Sequence, residues 1–275
     1  MAERSDGKLA PTLDAVGERA RRAPRTGDWL DRRYRLEQRV GEGGMGQVWT
    51  AQHSGLGRRV AIKFVEAGSP QLEERLLREA QLLASVRHPA IVEVYDCGIG
   101  EELGPYVAME LVEGETLSDL IERAPLAPAR AVGLFLGLLD GLEALHQAGV
   151  VHRDVKPANV LVIGDQAKLI DLGIAYVARA GQGRLTQDGG LLGTPAYMAP
   201  EQIRARPADP RADVWAVALT LIESITGVTV FHGPDPTAIL AKVLTSPVTR
   251  PSHPAIDDAL WAVLSAATRQ EPSER

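Results

Sequence analysis

The chain has 275 residues, of which 45% are apolar and 24% are charged, and this composition is typical of a globular protein with one large domain or two small ones. Its net charge of -6 at pH 7 provides no general attraction to nucleic acid or to anionic lipid. A single cysteine, Cys97, excludes an internal disulfide bond, and no uncharged apolar run reaches the roughly 18 residues that a membrane segment needs.

Residues 1–27 are rich in Arg, Ala, Gly and Pro. They have no sustained core pattern, so we predict a flexible N-terminal extension, with a short docking helix as the alternative. The extension also lacks the apolar stretch of a signal peptide. Together with the unpaired cysteine, this favours the cytoplasm as the compartment.

Strand-like segments dominate from residue 28 to about 112, with one helix among them, and helix-like segments dominate from 113 to 275. Strands first and helices second is typical of an α+β protein. We therefore predict two lobes, a small β-rich lobe with one helix over 28–112 and a larger, mainly helical lobe over 113–275, with a cleft between them.

The first motif is VGEGGMGQVW at residues 40–49, which contains Gly41, Gly43, Gly44 and Gly46. Glycines cluster where the chain turns tightly or where a ligand approaches the backbone. With Val48 they match G-x-G-x-x-G-x-V, a loop that covers phosphates, and a plain flexible hairpin is the alternative. A strand-like segment follows, so a dinucleotide fold is excluded, and no Lys-Ser or Lys-Thr pair follows to make a Walker loop.

The next element is a helix that begins after Ser69 and carries Glu79 in the middle of its apolar stripe. A carboxylate on a core-facing stripe is costly unless it is paired. Lys63 is the available partner, because it interrupts the apolar strand VAIKFV. The alternative is that both side chains extend outward independently. A lysine held by a glutamate beside a glycine loop is well placed to bind phosphate oxygens.

The second motif is VVHRDVKPANVLVIGDQAKLIDLG at residues 150–173. Two apolar segments flank GDQ, which predicts an antiparallel hairpin centred near Asp165. Asn159 and Asp171 lie six positions on either side, so we expect them to meet side by side as oxygen ligands for Mg²⁺. Asp154 and Lys156 precede them in a loop, close enough to act on a group bound at that metal.

In order and separation, these motifs resemble those of the eukaryotic-type (Hanks-type) serine/threonine protein kinases of bacteria, over about residues 34 to 275. The resemblance implies that the glycine loop covers ATP and that Lys63 binds its α- and β-phosphates while paired with Glu79. Asp154 would orient and deprotonate the substrate hydroxyl, and Lys156 would stabilise the transferring phosphoryl group. Asn159 and Asp171 would hold Mg²⁺, with Mn²⁺ as an alternative metal.

The resemblance also identifies an adenine pocket. The segment VAMELVEG at 107–114 resembles the hinge between the lobes. It implies that Met109 is the gatekeeper residue and that backbone groups from Glu110 to Val112 face adenine. Three apolar side chains would sandwich the purine ring: Val48, Ala61 and Leu161.

Further matches lie in the larger lobe. GTPAYMAPE at 193–201 resembles the end of an activation segment, in which Thr194 would bridge Asp154 and Lys156. Asp213 resembles the buried aspartate that braces the catalytic loop. Glu201 would pair with Arg275 as a structural contact. Since the family's last helix normally continues, we expect the natural protein to extend past Arg275.

No catalytic position is substituted, and leucine in DLG would keep an apolar contact between His152 and Leu83, so the resemblance implies an active enzyme. Arg153 before the catalytic aspartate implies activation by phosphorylation of the activation segment, with Thr186 as the candidate site. The implied partners are proteins with Ser or Thr hydroxyls, and a second copy of the chain for autophosphorylation in trans.

Two other functions are weighed against this one. A scaffold that binds ATP without transferring phosphate is disfavoured, because Lys63, Asp154, Asn159 and Asp171 are all present. A small-molecule phosphotransferase on the same fold is disfavoured by GTPAYMAPE, since such enzymes generally lack this peptide-docking segment.

Overall fold

An antiparallel sheet forms the small lobe in the computed structural model, which describes residues 21–43, 46–65, 69–171, 194–207 and 209–275. Its strands are β1 (Trp29–Leu30), β2 (Tyr34–Gly43), β3 (Gly46–His53), β4 (Arg59–Phe64), β5 (Val94–Gly100) and β6 (Gly104–Glu110). They are hydrogen-bonded in the order β1-β2-β3-β4-β6-β5, and each neighbouring pair is antiparallel.

Gly46 marks the start of β3 and requires glycine for two reasons. Its φ is +117°, and a Cβ atom built on it would clash with the carbonyl oxygen of Phe64 on β4. The strand register places Gly41 opposite Val48, and Val48 opposite Lys63. The glycine segment therefore lies beside the strand that carries the lysine.

One α-helix, α1 (Pro70–Ala84), packs against this sheet. Ser69 is its N-cap, because the Ser69 hydroxyl accepts a hydrogen bond from the backbone N–H of Leu72 at 3.3 Å. Pro70 fits the first turn, where no intrahelical partner for an N–H is needed. The buried residues of α1 include Leu76, Ala80 and Leu83, and of these Leu76 and Leu83 belong to the predicted apolar stripe.

The larger lobe is mainly helical. Within the described ranges its α-helices are α2 (Leu117–Arg123), α3 (Pro128–Gln147), α4 (Pro200–Ile203), α5 (Arg211–Thr226), α6 (Pro236–Thr245) and α7 (Asp258–Ala267). In α5, 12 of 16 residues are buried, which is the pattern of a helix at the centre of a lobe. The predicted α+β fold with two lobes is confirmed. No helix in the described ranges combines the length and apolar character needed to cross a bilayer.

A second antiparallel sheet lies in the larger lobe and contains β7 (Glu115–Thr116), β8 (Val160–Ile163) and β9 (Gln166–Leu169). Ile163 lies opposite Gln166, so the β8–β9 hairpin turns through Gly164 and Asp165. Gly164 has a φ of +62°, a conformation that glycine adopts without strain. The predicted hairpin is present, with a two-residue turn.

Backbone hydrogen bonds and a shared core join the two lobes. The N–H of Leu169 donates to the carbonyl oxygen of Ala90 at 2.8 Å, and the N–H of Val92 donates to that of Leu169 at 2.9 Å. Buried apolar side chains of both lobes, such as Leu76 and Leu138, belong to one hydrophobic cluster. The hairpin that carries the candidate site is therefore fixed to both lobes.

Residues 21–27 of the predicted extension lie against the small lobe. The backbone N–H of Arg22 donates to the carbonyl oxygen of Glu102 at 3.0 Å, and the guanidinium of Arg21 pairs with Glu73 on α1 at 2.6 Å. Residues 1–20 lie outside the described residues. The domain boundary at residue 27 and the flexibility of the extension therefore stay predictions.

Candidate active site

The carboxylate of Asp154 is held by two neighbours from the same loop. Lys156 Nζ donates to both carboxylate oxygens, at 3.1 and 2.8 Å. Asn159 Nδ2 donates to Asp154 Oδ2 and to the backbone oxygen of Asp154, both at 2.8 Å. These contacts fix the direction of a carboxylate that can accept a proton from a bound substrate.

The loop of residues 152–156, here called the HRD loop, is braced by Asp213 on α5. Asp213 is fully buried. Its Oδ1 accepts from the N–H of Arg153 at 2.7 Å, and its Oδ2 accepts from the N–H of His152 at 2.9 Å. His146 Nε2 lies 2.8 Å from the same Oδ2 atom. Three contacts compensate this carboxylate for its lost hydration, and they fix the loop as predicted.

His152 lies in the part of the HRD loop that Asp213 holds. Its side chain is buried and its Nδ1 accepts from the N–H of Asp154 at 3.3 Å. Burial lowers the pKa of His152, although the carboxylate of Asp213 acts in the opposite direction. The imidazole is therefore neutral at pH 7, and it supports the loop without adding a charge.

The predicted ion pair between Lys63 and Glu79 is absent from the described residues, and this corrects the sequence interpretation. Lys63 Nζ instead pairs with Asp171 Oδ1. Glu79 Oε1 lies 3.9 Å from Nη1 of Arg153 in the HRD loop. Both side chains point inward as predicted, but the larger lobe supplies each of them with a different partner. Contacts between lobes leave no signal in local sequence spacing.

The environment of Glu79 is unfavourable for a charge. Burial raises the pKa of Glu79, and the nearby Arg153 and Arg75 only partly oppose this. Its Oε2 atom is buried without a hydrogen-bond partner among the described residues. A buried carboxylate with one unsatisfied oxygen gains free energy if it moves to a cation that can satisfy it. Lys63 is such a cation.

Asp171 and Asn159 come from the ends of the β8–β9 hairpin, but the register differs from the prediction by one residue. Val160 pairs with Leu169, and the N–H of Ile170 donates to the carbonyl oxygen of Asn159 at 3.0 Å. Asn159 is therefore opposite Ile170 rather than Asp171, because the turn has two central residues. Asp171 is the next residue along the chain.

The donor atoms at this position fit a hard cation. Burial acts to raise the pKa of Asp171, but the Lys63 ammonium and other nearby groups such as Lys156 together lower the pKa of this carboxyl. An ionised carboxylate and an amide oxygen are ligands that Mg²⁺ accepts when phosphates supply the rest. In the described part of the chain no three His, Cys, Asp or Glu side chains converge on a metal site.

The apolar side chains that are predicted to contact adenine are buried or partly buried. Ala61 lies opposite Met109 in the sheet, and both belong to the main core, against which Val48 packs. Leu161 is buried on β8. In the hinge, the N–H of Val112 makes no hydrogen bond with another described backbone group.

The side chain of Glu110 in the hinge has partners that the sequence interpretation missed. Its carboxylate oxygens accept from Lys168 Nζ on β9 at 2.8 and 2.7 Å, and its Oε2 accepts from the N–H of Glu93 at 3.3 Å. Lys168 interrupts the apolar segment AKLI, as Lys63 interrupts VAIKFV. A charged residue within an apolar strand was the signal that identified Lys63, and it could have identified Lys168 as well.

Glu201 and Arg275 form the predicted structural pair. Two guanidinium nitrogens of Arg275 donate to the two carboxylate oxygens of Glu201 at 2.6 and 2.8 Å, and the guanidinium also lies 5.0 Å from the ring centre of Trp215. Both side chains are almost fully buried. A planar, two-bond contact of this kind is the form in which a buried arginine is best satisfied.

Thr194 differs from its predicted role. It is exposed and, within the described ranges, makes no hydrogen bond with Asp154 or Lys156, which contact each other directly.

Gly43 ends β2 opposite Gly46. Gly44 and the candidate phosphorylation site Thr186 lie outside the described residues.

Comparison with known proteins gives a consistent family assignment. Residues 34–275 match the protein-family model for the protein kinase domain. A probable serine/threonine-protein kinase of Streptomyces coelicolor is 37% identical over 256 residues, which cover 90% of this chain and 38% of that protein. The serine/threonine-protein kinase PknL of Mycobacterium tuberculosis is 37% identical over 269 residues, which cover 94% of this chain and 66% of that protein.

A third relative is matched to a similar extent as the Streptomyces coelicolor protein. The serine/threonine-protein kinase PknB of Mycolicibacterium smegmatis is 37% identical over 256 residues, which cover 90% of this chain and 41% of that protein. The chain thus spans about two fifths of the length of several relatives that it matches. The chain belongs to the protein kinase family, in which it is similar to the serine/threonine-protein kinases of bacteria.

Proposed function

We propose that this chain transfers the γ-phosphate of ATP to serine or threonine hydroxyls of proteins. The observation that carries the proposal is the arrangement at Asp154, whose carboxylate is bound by Lys156 and Asn159 in a loop braced by a buried aspartate. Phosphoryl transfer depends mainly on alignment and on neutralisation of charge. This arrangement provides an oriented base with a cation beside it.

Each of these residues has a defined role in the proposed reaction. The substrate hydroxyl gives its proton to Asp154 while its oxygen forms a bond to the γ-phosphorus. The bond between that phosphorus and the bridging oxygen breaks, and ADP leaves with the electron pair. Lys156 neutralises charge that develops on the transferred group.

Mg²⁺, or Mn²⁺ as an alternative, would be held by Asn159 and Asp171 and would neutralise phosphate charge when bound. Lys63 contacts Asp171 in this conformation and would turn toward the α- and β-phosphates when nucleotide enters. Glu79 would then hold Lys63 in that position. The buried and incompletely satisfied carboxylate of Glu79 supports this exchange of partners.

Regulation by phosphorylation forms a further part of the proposal. A phosphate on Thr186 would compete with Glu79 for Arg153, because phosphate carries more charge and offers more acceptor oxygens than a carboxylate. Release of Glu79 from Arg153 would favour the pair with Lys63. Transfer between two copies of the chain would make the rate of autophosphorylation per molecule increase with protein concentration.

The test is phosphate incorporation from labelled ATP with Mg²⁺, with the modified residues identified by mass spectrometry. We expect Asp154→Asn to lower incorporation at least about 100-fold, since a positioned base contributes that much or more. Asp165→Asn is the matched control, because Asp165 is 99% exposed at the hairpin turn. ATP binding without any transfer would favour the scaffold alternative. Unchanged incorporation in Thr186→Ala would contradict the proposed activation.

A further inference from the structure

We propose that Gln202 is a positioning residue for phosphoryl transfer, because its side chain holds the peptide group immediately before Asp154. The proposal rests on the proposed function for the role of Asp154. Gln202 lies on α4, outside the HRD loop, and only 7% of its surface is exposed. It contacts the backbone that orients Asp154.

The two ends of the Gln202 amide make two different hydrogen bonds. Nε2 donates to the carbonyl oxygen of Arg153 at 2.9 Å, and Oε1 accepts from the N–H of Ala199 at 2.9 Å. A side-chain amide is suited to both contacts because it carries a donor and an acceptor. The contact with Ala199 fixes the amide plane, so the donor is aimed at Arg153.

The backbone of Arg153 needs to be held in this way. Its φ is +68°, a left-handed conformation that residues with a Cβ atom disfavour. Asp213 binds the N–H on one side of Arg153 at 2.7 Å, and Gln202 binds the carbonyl oxygen on the other side. Both peptide groups that flank the strained residue are therefore fixed by buried side chains.

The second of these peptide groups also sets the direction of Asp154. Rotation of the Arg153–Asp154 peptide would turn the Asp154 carboxylate away from Lys156 and Asn159, which hold it now. Gln202 is well anchored for this task, because the preceding residue, Glu201, forms the buried ion pair with Arg275. Thus α4 connects the buried Glu201–Arg275 ion pair to the HRD loop.

Two substitutions separate the contact of Gln202 with Arg153 from its contact with Ala199. Gln202→Met removes both hydrogen bonds at similar volume. Gln202→Glu keeps an acceptor for the N–H of Ala199 but loses the donor to Arg153. The matched control is Gln270→Met, because Gln270 Nε2 also donates to backbone carbonyls, those of Val243 and Ser246, each at 3.0 Å, and these residues are far from Asp154 in the sequence.

The measurements are kcat and KM for ATP, together with hydrogen exchange of the amides in residues 151–156. For both Gln202 variants we expect kcat to fall roughly tenfold, as for a lost hydrogen bond that holds a catalytic group, with KM for ATP unchanged. Exchange in residues 151–156 should become faster in both. Gln270→Met should lower the melting temperature without changing kcat or this exchange.

The outcomes distinguish this proposal from the proposed function. If kcat and local exchange in the Gln202 variants match the wild type, or if only the melting temperature falls, the positioning role is overturned. A change in KM for ATP at constant kcat would also overturn it. A wild-type chain that transfers no phosphate would overturn the proposed function, whereas the exchange data would still decide whether Gln202 holds the loop.

Discussion

Glu79 illustrates at the scale of one residue how this site differs from its sequence-based prediction. The sequence predicts that Asp154 and Lys156 lie in a loop close to Asn159, and the three contact one another because they lie within six positions of one chain segment. Lys63 and Glu79 lie on different elements, and their actual partners come from the other lobe. The sequence identifies which charges are buried, but the relative position of α1 and the HRD loop decides which of them pair.

Glu79→Gln should stabilise the chain at neutral pH. Because the folded state raises the pKa of Glu79, folded molecules release the Glu79 proton only at a higher pH than unfolded ones. The contribution of this carboxyl to the free energy of unfolding therefore decreases as the pH rises above the ordinary pKa of glutamate. Glutamine avoids the burial of a charge. We expect the melting temperature of the variant to exceed that of the wild type by about 1–3 °C at pH 8, with a smaller difference near pH 5.

The control for this experiment is Glu74→Gln on the same helix, since the Glu74 side chain is 66% exposed and should show no comparable effect. Thermal unfolding at several pH values provides the measurement. An equal melting temperature for Glu79→Gln and wild type across the whole range would contradict the interpretation. Under the proposed function, the stabilised variant should also lose activity, because Lys63 would lack its partner.

At the scale of elements, the strands and α1 follow directly from the sequence, whereas the details of turns do not. Ser69 and Pro70 define the start of α1 through backbone chemistry that is local. The hairpin was recognised from two apolar segments, but its register depends on the number of turn residues. A turn through Gly164 and Asp165 shifts the partner of Asn159 by one position, and composition alone does not distinguish the two cases.

Gly46→Ala tests whether the glycine turn is required by close packing. Gly46 has a φ of +117° and no room for a Cβ atom, whereas Gly57 has a φ of +64° and open space around it. We expect Gly46→Ala to lower the melting temperature by roughly 3–6 °C, and Gly57→Ala by roughly 1–3 °C from conformational strain alone. Calorimetric unfolding gives the two melting temperatures. Equal decreases for the two variants would show that the clash with Phe64 does not lower the free energy of unfolding.

At the scale of the whole molecule, several ion pairs and a shared core set the relation between the lobes. Glu110 and Lys168 connect the hinge to β9, Lys63 and Asp171 connect β4 to the end of the hairpin, and the core cluster includes residues of both lobes. The bilobal architecture was predictable because strands precede helices along the chain. Its interlobe contacts were not, since each joins residues that are distant in sequence.

Arg21, which lies in the predicted extension, contacts the small lobe. Its guanidinium pairs with Glu73 at 2.6 Å, and the Glu73 side chain is only 10% exposed. Removal of the arginine would leave a largely buried carboxylate without its cation, which is costlier than loss of an exposed pair. We therefore expect Arg21→Met to lower the melting temperature by about 2–4 °C.

The matched control is Arg78→Met on α1, because the pair of Arg78 and Glu74 has the same 2.6 Å separation but is 73% and 66% exposed; it should shift the melting temperature by less than about 1 °C. Glu73→Gln should recover most of the loss in the double variant, since no unpaired charge remains. Additive losses for Arg21→Met and Glu73→Gln would contradict a direct pair. Equal effects of Arg21→Met and Arg78→Met would place the start of the small lobe after residue 21.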